Sequence, residues 1–334
     1  MDMKQWLEQQ KAAVSRKPLP ILSFPCVDLT DITVNQLVAD SDAQVAGMVA
    51  VAQRCDTAAA VSMMDLSVEA ECFGAQIVFE DNEVPTVVGS IVNTMADAEA
   101  LPTPRVGAGR SGVYVEAIRK VTALITDRPV LAGVIGPYSL AGRLMDVSQA
   151  MINCFVEPEM VHAVLEKASA FLIEYIRAFK AAGANGVVMA EPAAGLLTPE
   201  LCQEFSSDYV RRIVEEVQDD SFIVVYHNCG GAIDRLVPEI LSTGAAAYHF
   251  GNAVSMTAML EQMPEDILTM GNVDPVGTLR NGTPESVRTD TLAVLEACSS
   301  YPNFLVSSGC DIPPGTPWEN LDAFFAAVAE YYTV

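Results

Sequence analysis

The sequence predicts an α/β protein: a single (β/α)8 TIM barrel over residues 1–334, with an N-terminal helix and a β-hairpin inserted after the second strand. Three observations predict it. Eight short β-rich runs alternate with longer amphipathic stretches, the pattern of βαβ units around a parallel sheet. No Gly-rich nucleotide turn follows the first run, as a doubly wound sheet usually requires. The 334 residues contain no linker, low-complexity tract or internal repeat that would divide them.

The runs, in order, are PILSF (20–24), AAAVSMMD (58–65), PVLAGVIG (129–136), GVVMAE (186–191), FIVVYH (222–227), AAYHFG (246–251), ILTMGN (267–272) and FLVSSG (304–309). The stretch between the second and third contains AQIVFEDNEVPTVVGSIVNT, which reads as an antiparallel hairpin turning at Asp81-Asn82. PEMVHAVLEKASAFLIEYIRAFKAAG repeats apolar residues at three and four and ends on Gly, a helix and its stop. Three further helices open on Thr-Pro, at Thr198, Thr283 and Thr316, which puts proline at the first helical position.

Composition narrows the function. At 51% hydrophobic and 19% charged residues the chain buries a large core. A net charge of −24 opposes phosphate backbones and anionic lipid, so nucleic acid and membrane surfaces are not expected partners, and it disfavours a substrate with many carboxylates. The N-terminal segment lacks the apolar stretch of a signal peptide and no run reaches the roughly 18 apolar residues of a membrane span. A soluble, cytoplasmic protein is expected. In such a compartment the eight cysteines are thiols or metal ligands.

In a barrel, functional residues collect at the C-terminal ends of strands. Asp65, Gly136 to Tyr138, Glu191, His227 with Cys229, His249, Asn272 with Asp274, and Cys310 with Asp311 all fall there. His227 and Cys229 put two donors on the same side of an extended segment, and Cys310 supplies a third from across the same rim. One nitrogen and two sulfurs favour zinc, and three protein ligands leave a fourth position for a reactant. Glu191 is the expected occupant of that position at rest. The alternatives are a structural histidine beside an inert cysteine, and a Glu191 that accepts from loop amides. Asp65 reads equally as a general acid, an anchor for a substrate nitrogen, or a helix cap. His249 reads as a hydrogen-bonded core histidine before a substrate contact, and His162 as a surface residue of a helix.

At these residues the chain resembles the uroporphyrinogen decarboxylase superfamily, and within it the zinc-dependent corrinoid methyltransferases that use coenzyme M. The resemblance runs over nearly the whole length, through SVEAECFGAQIVFEDNEVPTV, GVIGPYSLAGRLM, VVYHNCGG, MGNVDPVGTL with NGTPESV, and SSGCDIPPGTPWENLDAF. Its H-x-C plus distant Cys motif falls on His227, Cys229 and Cys310. It implies methyl transfer from methylcobalamin, held on a separate corrinoid protein, to a small thiol such as coenzyme M. Glu191 would remain a ligand or yield to the thiol, and Tyr138, Asn272 and Asp274 are expected to orient the acceptor's tail or the corrinoid ring. No D-x-H-x-x-G stretch is present, so the corrinoid must come in trans. Asp65 falls where the decarboxylase carries its pyrrole-binding aspartate, but SFPCVDLTDIT lacks that enzyme's arginine motif. Tetrapyrrole decarboxylation and methyl transfer to tetrahydrofolate are the alternatives.

Overall fold

The computed structural model describes residues 1–333. In chain order the strands are β1 (Ala60–Val61), β2 (Gln76–Val78), β3 (Thr86–Val88), β4 (Val130–Ile135), β5 (Gly186–Ala190), β6 (Ile223–Asn228), β7 (Ala247–Phe250), β8 (Leu268–Val273) and β9 (Phe304–Ser308). Seven of them make one curled parallel sheet in the order β1-β4-β5-β6-β7-β8-β9, with helices in the connections. β2 and β3 pair antiparallel on their own, Ile77 opposite Val87.

The run expected as the first strand is extended but lies outside the ladder, and proline explains why. Leu19 N donates to Val306 O at 3.0 Å and Ile21 N to Ser308 Oγ at 3.0 Å, so residues 19 and 21 lie along β9. The alternate residues would have to donate the other way, towards β1. They are Pro18 and Pro20, which have no N–H. Only the Pro18 carbonyl reaches that side, accepting from Ala58 N at 2.9 Å. The segment therefore bridges the two edges of the sheet with a one-sided set of bonds, and Phe24–Cys26 then coils into a short 3-10 turn.

Period two decides what each strand buries. Ile223 and Val225 of β6, Val188 and Ala190 of β5, Ala247 of β7, Leu268 and Met270 of β8 and Leu305 of β9 turn to the inside and form one apolar cluster. The alternate residues, among them Tyr226, Tyr248 and Val306, join the larger cluster between sheet and helices. The N-terminal helix Met3–Ala12 is capped by Asp2, whose carboxylate accepts from Gln5 N at 2.8 Å. It buries Met3 and Trp6 in the inner cluster, and its first amide donates to Asp220 O, just ahead of β6. That helix covers the N-terminal ends of the strands, so the opposite end is left for chemistry.

Candidate metal centre

Along β6 the inward parity that seats Ile223 and Val225 reaches His227, which is why a buried strand ends in a histidine turned to the interior. Asn228 then bends the chain. Its Nδ2 donates to Glu191 O at 2.7 Å and its Oδ1 accepts from Gly230 N at 2.9 Å, which carries Cys229 back over the strand end. Gly251 permits this, since a Cβ there would come within 2.6 Å of Cys229 Cα. Cys310 arrives just past β9. The donor atoms of His227, Cys229 and Cys310 lie within 4.8 Å of one another, and among the described residues they alone form such a group.

The spacing fits tetrahedral zinc. Bonds of about 2.1 Å to nitrogen and about 2.3 Å to sulfur place the two ligand atoms about 3.6 Å apart; His227 Nε2 and Cys310 Sγ are 3.5 Å apart. The two thiols interact strongly: Cys310 and His227 hold Cys229 low, while Cys229 and burial push Cys310 up. Of the two, Cys229 is the one its surroundings favour as the thiolate, and a cation bound between them would favour the ionised form of both.

The imidazole is set by a chain of hydrogen bonds that fixes its tautomer. Ser307 gives its hydroxyl proton to Leu19 O at 2.7 Å, so its oxygen accepts from His249 Nε2 at 2.7 Å. His249 Nδ1 is therefore an acceptor, facing His227 Nδ1 at 2.8 Å. The His249 carbonyl also faces His227 Nδ1, at 3.3 Å. Both contacts require the proton on Nδ1 of His227, which leaves its Nε2 lone pair facing Cys310. Burial keeps His249 neutral, far below the usual histidine range, as the relay requires. Register places the two rings side by side, His227 opposite His249 in the β6–β7 pairing.

The expected fourth ligand, Glu191, does not join the group. Glu191 is fully buried with both oxygens engaged: Tyr138 N and Ser206 Oγ donate to Oε1 at 2.8 and 2.9 Å, and Ser139 N donates to Oε2 at 2.8 Å. It caps the helix Pro137–Met145 from a neighbouring strand end. Asp65 is saturated as well. Ser67 donates twice to Oδ1, and Oδ2 accepts from Tyr114 Oη at 2.8 Å and from Arg110. Arg110 in turn binds Glu71 at 2.7 Å and stacks over Phe79.

The residues expected to orient a substrate are also occupied. Tyr138 is fully buried, with its hydroxyl beside Cys154 Sγ at 3.7 Å. Asn272 donates to Gly251 O and Val254 O, both at 2.9 Å. Asp274 caps the following turn, accepting from Val276 N and Gly277 N at 2.9 and 2.8 Å. His162 is half-buried on its helix, 2.8 Å from the Tyr209 hydroxyl. Sequence reasoning passed over Ser307 and the role of His249. The signal for both was inward parity at the ends of FLVSSG and AAYHFG.

Comparison with known proteins places the chain. The uroporphyrinogen decarboxylase (URO-D) family model matches residues 23–331. Methylcobamide:CoM methyltransferase MtbA of Methanosarcina acetivorans is 30% identical over 272 residues, 80% of this chain and 78% of that protein. Uroporphyrinogen decarboxylase of Synechococcus sp. (strain CC9605) is 29% identical, over 72% and 69% of the two chains. A solved methyltransferase from Methanosarcina mazei superposes with a TM-score of 0.87 over 99% of this chain and 98% of that one, at 22% identity, a likeness of fold. The chain belongs to the uroporphyrinogen decarboxylase family, and within it to the methyltransferases.

Proposed function

We propose that the chain moves a methyl group from a methylcorrinoid on a partner protein to a small thiol such as coenzyme M, with zinc held by His227, Cys229 and Cys310. The observation that carries this reading is the nitrogen and two sulfur donors with an Nε2 lone pair already turned inward. Bound there, zinc would supply a Lewis acid that keeps an alkyl thiol ionised at neutral pH. The protein's own part is positional. The Leu19–Ser307–His249 chain holds the imidazole in one tautomer, and the thiolates of Cys229 and Cys310 keep the site electron-rich. Glu191 serves by fixing the helix Pro137–Met145 and the turn at Asn228 rather than as a fourth ligand, so the fourth position is left to the acceptor.

The reading extends to the whole chain as one barrel domain over 1–334. Residues 18–21 take the place of the first of eight strands, and the β2–β3 hairpin is an insertion after the second. The corrinoid is bulky and is supplied in trans. No helix among the described residues is long and apolar enough to cross a membrane, and none of the eight cysteines is in a disulfide, which suits a reducing cytoplasm.

The test combines metal analysis with demethylation of methylcobalamin, followed by its visible spectrum, with coenzyme M, other thiols and tetrahydrofolate as acceptors. Stoichiometric zinc and zinc-dependent transfer to a thiol are expected. Turnover of a porphyrinogen by metal-free protein, with no transfer to any thiol, would overturn the proposal. Tetrahydrofolate as the sole acceptor would keep the methyl transfer and replace the thiol.

A further inference from the structure

The segment that stands in for the first strand touches both arms of the metal centre. Ser307, which sets the tautomer of His227 through His249, gives its proton to Leu19 O at 2.7 Å. Two residues on, Ile21 O accepts from Ile312 N at 2.9 Å, and Ser23 Oγ donates to Asp311 Oδ1 at 2.7 Å, so the same segment holds the turn that carries Cys310. On its other side, where Pro18 and Pro20 offer no donor to β1, a small cavity lies among Pro20, Leu22, Ala59, Ala60 and Val61. A strap bonded mainly along one edge, with space beside the other, shifts more readily than a strand held on both.

The start of the strap lines a cleft at the opposite end of the sheet from the metal donors. Ser15 to Pro18, the end of the helix Ser41–Arg54 with Asp56 just ahead of β1, and the last helix, Trp318–Tyr331, enclose about 400 Å³ there. Arg16, Lys17 and Arg54 face two acids, Asp56 and Asp322, in a chain whose acidic residues outnumber lysine and arginine 43 to 19. Lys17 is taken by Asp56 at 2.7 Å and Arg54 by Asp322 at 2.6 Å. Arg16 is the surplus charge. Its Nη1 donates to Tyr301 O and Phe304 O, both at 2.9 Å, which ties the strap to the start of β9. Its Nε–Nη2 edge has no partner among the described residues, and Nε and the neighbouring Tyr332 Oη are both buried without one. A guanidinium edge of this kind takes a carboxylate through two parallel hydrogen bonds. Pro18, Phe325 and Val328 supply an apolar wall beside it.

We propose that this cleft is a regulatory site for a small organic monoanion, a carboxylate on a short apolar body, and that its occupant acts on the metal centre through the strap Arg16–Ser23. The part that concerns the metal rests on the function proposed above. An anion on Arg16 gives the half-buried edge its missing acceptor and fixes the start of the strap against β9. That favours the arrangement in which Leu19 O takes the Ser307 proton and Ile21 O the Ile312 amide. Bound anion and bound zinc therefore strengthen each other, each by the same factor. The length of the strands separates the cleft from His227, so its occupant is not a reactant.

The test titrates butanoate, butyl phosphate and neutral 1-butanol into the zinc-loaded chain and follows tryptophan emission, because Arg54 on the cleft wall lies over the Trp318 ring at 4.8 Å. Saturable binding of butanoate is expected, with none of the alcohol; saturation by butyl phosphate alone would overturn the carboxylate assignment. Arg16→Leu should weaken butanoate at least about tenfold. Since that change also frees two carbonyls, Ala329→Phe, which fills the cleft from an exposed position on the last helix, should do the same in a chain whose core is untouched. Chelator competition should give a zinc affinity about fivefold or more higher with saturating butanoate than without it, and the visible spectrum of cobalt-loaded protein should change as the cleft fills. Butanoate that never saturates, or that binds Ala329→Phe as well as the parent, overturns the site. Saturable binding that leaves zinc affinity and the cobalt spectrum unmoved overturns the regulation. A chain that binds butanoate through Arg16 yet takes up no zinc keeps the site and ends both the coupling and the metal reading it rests on.

Discussion

Two arginines at the mouth of the same sheet show the difference between scaffold and site. Arg110 meets Asp65, Ser67 and Glu71, and its neighbours are saturated in turn: Asp65 accepts four hydrogen bonds. Arg143 has no hydrogen-bond or ion-pair partner among the described residues. The same contrast separates Glu191, with three donors on two oxygens, from His227, Cys229 and Cys310, whose lone pairs face one another across 4.8 Å or less. A polar group whose capacity is spent on its own chain holds the fold. One whose capacity is reserved awaits something from outside.

The largest effect expected from breaking this contrast is at Cys310. Cys310→Ala removes a ligand, and zinc affinity should fall well beyond the roughly 10–100-fold that loss of an outer hydrogen bond costs. Chelator competition measures it directly, and unchanged affinity would remove the metal centre from consideration. The matching substitution on the spent side is Glu191→Leu. It leaves the buried amides of Tyr138 and Ser139 and the Ser206 hydroxyl without an acceptor, a cost of about 3 kcal/mol or more in denaturant unfolding. Zinc per folded chain should not change. A Glu191→Leu protein that is stable but has lost zinc would show Glu191 to be a ligand after all.

A smaller effect is expected at the relay. His249→Phe keeps the volume but removes the acceptor that holds His227 in its tautomer, so zinc affinity should fall roughly 10–100-fold with little loss of fold. Ser307→Ala should act in the same direction and more weakly, because Leu19 O then loses its donor and His249 can turn. Cobalt substitution gives an independent reading, since a misaligned imidazole alters the visible spectrum of the metal while Cys229 and Cys310 remain. An unaltered spectrum and affinity in both variants would make the relay ordinary packing.

These outcomes also measure how far the sequence could be read. Strand positions were legible because β4 to β9 are short apolar runs between helices, and the donors were legible because His227, Cys229 and Cys310 end two such runs or follow them closely. The first run lies outside the ladder although PILSF has the composition of a strand, because its pairing towards β1 fails at Pro18 and Pro20, prolines that matter only once the neighbours are known. Glu191 and Asp65 looked like chemistry because a carboxylate at a strand end is ambiguous until its donors are seen. Tyr138 N, Ser139 N, Ser206, Arg110 and Tyr114 come from elsewhere in the chain, and no local pattern announces them. Arg143 was invisible for the converse reason, since lacking a partner is a property of the fold.

One carboxylate on the saturated side breaks its own rule, and it yields the smallest and most specific expectation. Glu69 is buried, with Oε1 accepting from Ile135 N at 3.0 Å and Oε2 meeting no donor among the described residues. Burial, with help from the Asp65 charge and against the Ile135 amide and Arg110, pushes its pKa up to about 7. An unfolded glutamate titrates near roughly 4.3, so between that value and about 7 the folded chain holds a proton that the unfolded chain has lost. The contribution is fully present below the unfolded value and is lost as pH rises through the folded one, with a slope of at most about 1.4 kcal/mol per pH unit. Glu69→Gln keeps the acceptor for Ile135 and cannot ionise, so unfolding measured from pH 5 to about pH 8 should show a shallower decline in the variant than in the parent. Equal slopes would mean that Glu69 is ionised in the folded state, with a partner for Oε2 drawn from solvent, and the mouth around Asp65 and Arg110 would then be wetter and less rigid than the contrast between the two arginines requires.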